Sequence, residues 1–222
     1  MMVKVAVCLS GCGVFDGTEI HESVITLLAL DRAGAEVVCC APNVDQMHVI
    51  NHQHGLVMED ESRNVMVESA RIARGPVVDI EELKPADFDA LILPGGFGAA
   101  KNLCDFASEG ADAVGHPAVM ELINDCLEQG KPLGLMCIAP VVAAVATRKS
   151  PARLELTIGT DIDTNAGLEA MGAQPRPHAV DEIHVDVERK VVTTPAYMLA
   201  ESISEAATGI EKLVDKVLEL CA

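Results

Sequence analysis

The chain has 222 residues, half of them hydrophobic, with no Trp, one Tyr and four Phe, so a sizeable core is expected and it must be aliphatic. A formal net charge of −18 argues against nucleic-acid and anionic-membrane partners, which need basic patches. The eight cysteines form no CxxC pair of zinc-type spacing and read as free thiols in a reducing, cytoplasmic setting. The opening run MMVKVAVCLSG lacks the length and cleavage site of a signal peptide, and no stretch is long and apolar enough to span a membrane.

Residues 3–9 (VKVAVCL) predict a buried strand, followed by the loop SGCGVFDG. Gly11, Gly13 and Gly17 do not have GxGxxG spacing, so a dinucleotide-binding reading is weak. Asp16 or Thr18 is expected to cap a helix running to about residue 33, with Ile20, Val24, Leu27, Leu28 and Leu30 on its apolar face and Gly34 ending it. Residues 36–41 (EVVCCA) predict the next strand, and a strand–helix–strand unit of this kind implies a parallel sheet. Residues 42–61 are a polar excursion suited to a small hairpin. Their histidines, His48, His52 and His54, have no carboxylate or cysteine in helical spacing with them and read as a solvated loop rather than a metal site. Residues 62–73 predict a helix capped by Ser62, residues 77–83 a connection or short strand, and Ala86 a turn.

Residues 89–93 (DALIL) predict a third core strand, followed by PGGFGAAKNL. Pro94, Gly95 and Gly96 at the end of a parallel strand either present backbone N–H groups to a ligand in the crevice above the sheet or simply turn the chain. Helices are expected at residues 99–106 and 116–129, the second with Pro117 at its first position and Gly130 as its stop. The chain is organised around residues 131–147, KPLGLMCIAPVVAAVAT. Residues 132–136 suit a short buried strand, residues 138–147 a buried helix with Pro140 in its first turn, and Cys137 sits at the join. A nucleophile elbow has this arrangement, and it predicts unusual backbone dihedrals at Cys137. A buried structural cysteine is the alternative, since Cys is among the most buried residue types.

Beyond the elbow, residues 154–158 predict a strand and residues 161–171 a helix closed by Gly172. Residues 178–187 and 190–194 predict two strands about a turn at Glu188 and Arg189. Residues 200–220 form an amphipathic closing helix with Ile203, Ile210, Leu213, Val214 and Val217 apolar. With no linker or repeat, residues 1–222 are expected to form one doubly wound α/β domain, a mostly parallel sheet with helices on both faces. Sites in such sheets collect at the C-terminal strand ends, where the loops at residues 10–22, 94–99 and 137–140 should meet. Cys137 would supply a thiol, and the N–H groups of Gly96 and Ile138 would stabilise a developing oxyanion. Glu19 and Glu22 lie one helical turn apart on one face. They either complement the helix dipole or reach the crevice, where a protonated Glu donating to sulfur favours the thiolate and a charged one opposes it.

The segments SGCGVFDGTEIHES, SRNVMVESARIARG, PGGFGAAKNL, GLMCIAP, IGTDIDT and VVTTPAYM, spread over nearly the whole chain, together resemble the enhancing-lycopene-biosynthesis (ElbB) family of the PfpI and class I glutamine-amidotransferase-like superfamily. The resemblance implies a flavodoxin-like sandwich with a cysteine elbow. It places Cys137 as nucleophile, Glu22 as the glutamate on the sulfur, Gly96 and Ile138 as oxyanion donors, and Gly95 and Glu19 beside them; Asp16 and His21 line the same loop without an assigned role. Two departures matter. Ile138 stands where protease-like members carry a histidine, and Thr194, Pro195 and Ala196 stand where glutamine amidotransferases place a His-x-Glu pair. His178 and His184 both precede the last strand. Without a base for the thiol proton, glutamine and peptide hydrolysis are disfavoured. The resemblance points to cofactor-free, metal-free glyoxalase III-type conversion of a small reactive aldehyde, methylglyoxal or glyoxal, to lactate or glycolate through a cysteine hemithioacetal. The alternatives are a non-enzymatic cysteine redox or stress protein affecting isoprenoid biosynthesis, and a protein deglycase using the same thiol. A homodimer is also expected from the resemblance.

Overall fold

A computed structural model describes residues 2–151 and 153–222. In chain order its first half holds β1 (Lys4–Cys8), α1 (Ile20–Arg32), β2 (Glu36–Ala41), the hairpin β3 (Ile50–Asn51) and β4 (Leu56–Val57), α2 (Val65–Ala73), β5 (Val78–Asp79), β6 (Ala90–Leu93), α3 (Phe97–Lys101) and α4 (Phe106–Glu109). The second half holds α5 (Pro117–Glu128), β7 (Leu133–Met136), α6 (Pro140–Thr147), β8 (Glu155–Leu156), α7 (Ile162–Ala170), β9 (Gln174–Pro175), β10 (His184–Asp186), β11 (Val191–Thr194) and α8 (Ile203–Leu220).

Seven strands form one sheet in the order β10–β11–β7–β6–β1–β2–β5, and every neighbouring pair is parallel except the β10–β11 edge. β6, β7 and β11 are buried along their whole length, which is why they read as continuous apolar runs rather than alternating ones. Successive side chains still part to opposite faces. Ala6, Cys8, Leu91, Leu93, Leu133 and Leu135 join α5 and α6 on one side. Val5, Val7, Ile92, Met136 and Val192 join α1 and α8 on the other. β1 has β2 on one flank and β6 on the other, so the chain reverses its winding direction there. The crevice above that reversal is where such sheets place their sites.

Several local expectations are corrected. Glu19, rather than Asp16 or Thr18, caps α1 by accepting from the Glu22 N–H. Thr18 instead binds Ser10, and Asp16 accepts the Ile50 N–H that ties the hairpin down. Asn64 rather than Ser62 caps α2. The helix expected at residues 99–106 divides into α3 and α4, the strand expected at 154–158 shortens to β8, and that expected at 178–187 shortens to β10. α8 begins after its Ser202 cap, leaving Ile203 half exposed.

The largest difference concerns α1. Ile20, Val24 and Leu28, assigned to its buried face, are 42%, 47% and 42% exposed, whereas Glu22, Ser23, Ile25, Thr26 and Leu30 are buried. The helix turns its polar stripe inward because that stripe has partners there. Thr26 donates to the Met136 sulfur at 3.7 Å, Ser23 donates to the Glu19 carbonyl at 2.8 Å, and Glu22 enters the site described below.

Two loops are locked together at Gly98. A Cβ built there would lie 2.4–2.6 Å from the backbone of Gly17, which no side-chain rotation relieves. Gly98→Ala is therefore expected to lower stability by roughly 1–3 kcal/mol through overpacking, measured as a lower midpoint in urea with an unchanged slope.

Candidate active site

Cys137 occupies the turn between β7 and α6 with φ 58, a left-handed conformation that is strained for a residue bearing a Cβ. The strand holds one side of this turn, where the Cys137 N–H donates to the Thr194 carbonyl of β11. Pro140 opens α6 on the other side. The elbow geometry expected from the sequence is therefore present. The residue is 7% exposed and lines a crevice of about 310 Å³. Val14, Phe97, Ile138 and Met198 give that crevice apolar walls; Glu19, Asp161, Thr164 and Tyr197 supply its polar groups.

Glu22 is fully buried beside Cys137, close enough that each group shifts the other's proton affinity. Its two oxygens are each held by a backbone N–H, Oε2 by Gly95 at 2.8 Å and Oε1 by Tyr197 at 3.2 Å. The backbone N–H groups of Gly96 and Ile138 act on the sulfur, each favouring its charged form. Gly95 cannot carry a side chain here: a Cβ would sit 2.6 Å from that of Cys137 and 2.9 Å from Glu22 Oε2. The six residues singled out in the sequence are thus brought together, with Glu19 capping the helix that carries Glu22.

Charge in the site is set chiefly by burial. Burial and the neighbouring Glu19 raise the Glu22 carboxyl from 4.5 to about 7, against the opposing pull of the Gly95 and Tyr197 N–H groups and the Cys137 thiol. Burial and then Glu22 push the Cys137 thiol well above its ordinary range, although the Gly96 and Ile138 N–H groups act in the other direction. The resting sulfur is a thiol, rather than the thiolate that a protonated Glu22 donor would favour.

The other sequence candidates fall elsewhere. His21 is exposed, and its Nδ1 lies 2.8 Å from the Tyr197 hydroxyl. Asp16 is buried under the hairpin, with Oδ1 3.6 Å from His52 Nε2. His178 and His184 face one another at 3.1 Å, and His184 Nε2 meets Glu155 at 3.1 Å; neither lines the crevice. Among the described residues no three His, Cys, Asp or Glu side chains gather as a metal-binding group.

Tyr197, Asp161 and Thr164 were not picked out as site residues, although the segments IGTDIDT and VVTTPAYM contain all of them. Asp161 caps α7, its Oδ1 accepting the Thr164 N–H at 2.8 Å. Tyr197 follows Ala196, a second strained non-glycine residue at φ 43, which aims the Tyr197 N–H at Glu22.

The chain matches the DJ-1/PfpI family over residues 4–193. It belongs to that family. It is 48% identical over 226 residues to the human glutamine amidotransferase-like class 1 domain-containing protein 3, mitochondrial, covering 98% of this chain and 83% of that protein. It is 36% identical over 211 residues to the zebrafish ES1 protein, mitochondrial, covering 88% and 77%. A crystal structure from Ehrlichia chaffeensis, described as an isoprenoid biosynthesis protein with an amidotransferase-like domain, matches with a TM-score of 0.91 and 33% identity over 98% of this chain and 99% of that one. Drosophila melanogaster DJ-1beta, at 18% identity and a TM-score of 0.59 over 99% and 96%, shares the flavodoxin-like fold. The resemblance read from the motifs therefore holds at the level of family and fold. The cytoplasmic assignment does not hold, because the human, rat and zebrafish relatives are mitochondrial proteins. Free thiols indicate reducing conditions and do not distinguish one reducing compartment from another.

Because the Glu22 carboxyl is raised on folding, the folded state binds its proton more tightly than the unfolded chain. Its contribution is fully present below pH 4.5 and is lost as pH rises through about 7. Denaturant unfolding across that window should show the wild type losing roughly 3 kcal/mol relative to Glu22→Gln, which has no such proton to lose. Parallel pH–stability curves for the two proteins would contradict the assignment.

Proposed function

We propose that this chain performs a cofactor-independent, glyoxalase III-type conversion of small 1,2-dicarbonyl compounds to 2-hydroxy acids. The observation that supports it most directly is the company of the sulfur. Cys137 faces two backbone N–H groups and one buried carboxyl, with no histidine in contact. That set suits a highly electrophilic aldehyde carbonyl, which takes up the thiol proton on its own oxygen, better than an amide, whose attack calls for a thiolate held beside a basic imidazole.

The steps balance without an external oxidant. The Cys137 sulfur forms a bond to the aldehyde carbon while its proton passes by way of Glu22 to the carbonyl oxygen, giving a hemithioacetal. The developing oxyanion would be stabilised by the Gly96 and Ile138 N–H groups. Removal of the proton on the former aldehyde carbon gives an enediolate; return of that proton to the neighbouring carbon, with the hydroxyl proton passing to the neighbouring oxygen, turns the adduct into a thioester. The first carbon is thereby oxidised and the second reduced. Water cleaves the carbon–sulfur bond, returns the thiol and releases the hydroxy acid. Glu22 is the titratable group on the sulfur, and a carboxyl raised to about 7 can both give and take a proton near neutrality.

Methylglyoxal incubated with the pure protein should disappear with stoichiometric formation of lactate. Cys137→Ala should abolish this, and Glu22→Gln should lower kcat by about 10²–10⁴. No lactate from the wild type, together with clean oxidation of Cys137 by dilute peroxide, would replace the enzyme with a thiol sensor.

A further inference from the structure

The crevice over Cys137 is acidic, and its helix ends are already occupied. A helix N-terminus ordinarily offers an anion its free N–H groups and positive dipole. Here α1 and α7, whose caps border the crevice, turn an N–H each onto their own side chains, and the first N–H of the short α3 donates to the Val14 carbonyl. Glu19 Oε2 accepts the Glu22 N–H at 2.7 Å at the start of α1, and Asp161 Oδ1 accepts the Thr164 N–H at 2.8 Å at the start of α7. The Gly96 and Ile138 N–H groups act on the sulfur. Among the described residues no Lys or Arg lines the crevice. The nearby Lys101 lies over the Phe97 ring at 5.4 Å and donates to the Phe15 carbonyl at 2.8 Å, so its ammonium is already engaged.

From this arrangement we infer that Glu19 and Asp161 act as a charge filter, admitting uncharged or cationic carbonyl compounds to Cys137 and rejecting those that carry a carboxylate or phosphate. Two carboxylates beside an apolar cleft of about 310 Å³ repel an anion that would also lose its hydration there. Neutral dicarbonyls meet neither penalty. As a statement about substrate, the inference rests on the aldehyde chemistry proposed above and excludes 2-oxo acids and phosphorylated sugars from it. As a statement about the crevice, it stands on the geometry alone.

Iodoacetamide and iodoacetate test it, being nearly equal in size and differing in charge. Each alkylates a thiolate with loss of iodide, so the ionised fraction of Cys137 cancels from the ratio of their rates. The rate at Cys137 is followed by mass spectrometry of its peptide in the full chain, at pH 6, where Glu22 keeps its proton. The iodoacetamide-to-iodoacetate ratio should exceed that of the same cysteine in the urea-unfolded chain by about tenfold. Asp161→Asn and Glu19→Gln, which preserve a capping oxygen, should each reduce the excess and together remove it. An unchanged ratio in the folded wild type, or an excess that survives both substitutions, overturns the inference. The alkylation requires no turnover, so an intact ratio in a protein that makes no lactate would remove the proposed reaction and leave the filter standing.

Discussion

The contact between the buried Glu22 carboxyl and the Cys137 thiol is the interaction around which this fold closes. An unpartnered polar group at full burial is costly. Glu22 avoids that cost because backbone N–H groups from two separate loops, those of Gly95 and Tyr197, each meet one of its oxygens. Two further N–H groups, from Gly96 and Ile138, favour charge on the sulfur. All of these donors are backbone N–H groups that no side-chain rotation can move, so the polar cluster is as rigid as the strands that deliver it. Electrostatic stabilisation works best when donors are fixed in this way before charge develops.

That rigidity has a conformational cost. Cys137 at φ 58 and Ala196 at φ 43 are both left-handed without being glycine, at a strain of order 1–3 kcal/mol each. The two strained residues follow neighbouring parallel strands, β7 and β11, paired through Met136 and Thr194 immediately before the turns. Strain of this size persists because those strands are buried along their whole length in an aliphatic core. The same core explains the orientation of α1. Its polar stripe faces inward to supply Glu22, and its apolar residues Ile20, Val24 and Leu28 are left at the surface.

What the sequence made legible follows from which signals are local. The core strands announced themselves as short apolar runs, and the elbow as one cysteine between a strand-length and a helix-length segment. The α1 face was misjudged because hydrophobic periodicity ranks Ile20 and Val24 above Glu22 and Thr26. It has no access to a partner such as the Met136 sulfur, 110 residues away along the chain. The capping of α1 was misplaced for a related reason: Asp16 and Thr18 are ordinary capping residues, but both are engaged by distant or looping backbone, at Ile50 and Ser10. Tyr197 and Asp161 escaped notice because a crevice lining is defined by the meeting of separated loops and has no period along the chain.

The absence of a histidine on the sulfur gives the site its chemical character. In a Cys–His pair the imidazole removes the thiol proton and holds it as a cation beside the thiolate. In this chain Ile138 occupies the turn after the cysteine, and the group on the sulfur is an acid. Both partners are raised by burial, so near neutrality the sulfur keeps its proton while Glu22 beside it can give or take one. A thiol held in that state is a poor standing nucleophile toward amides. It becomes effective when the electrophile's own oxygen takes up the proton as the carbon–sulfur bond forms. An aldehyde offers such an oxygen. The reaction class proposed here follows from that single proton and the place it has to go.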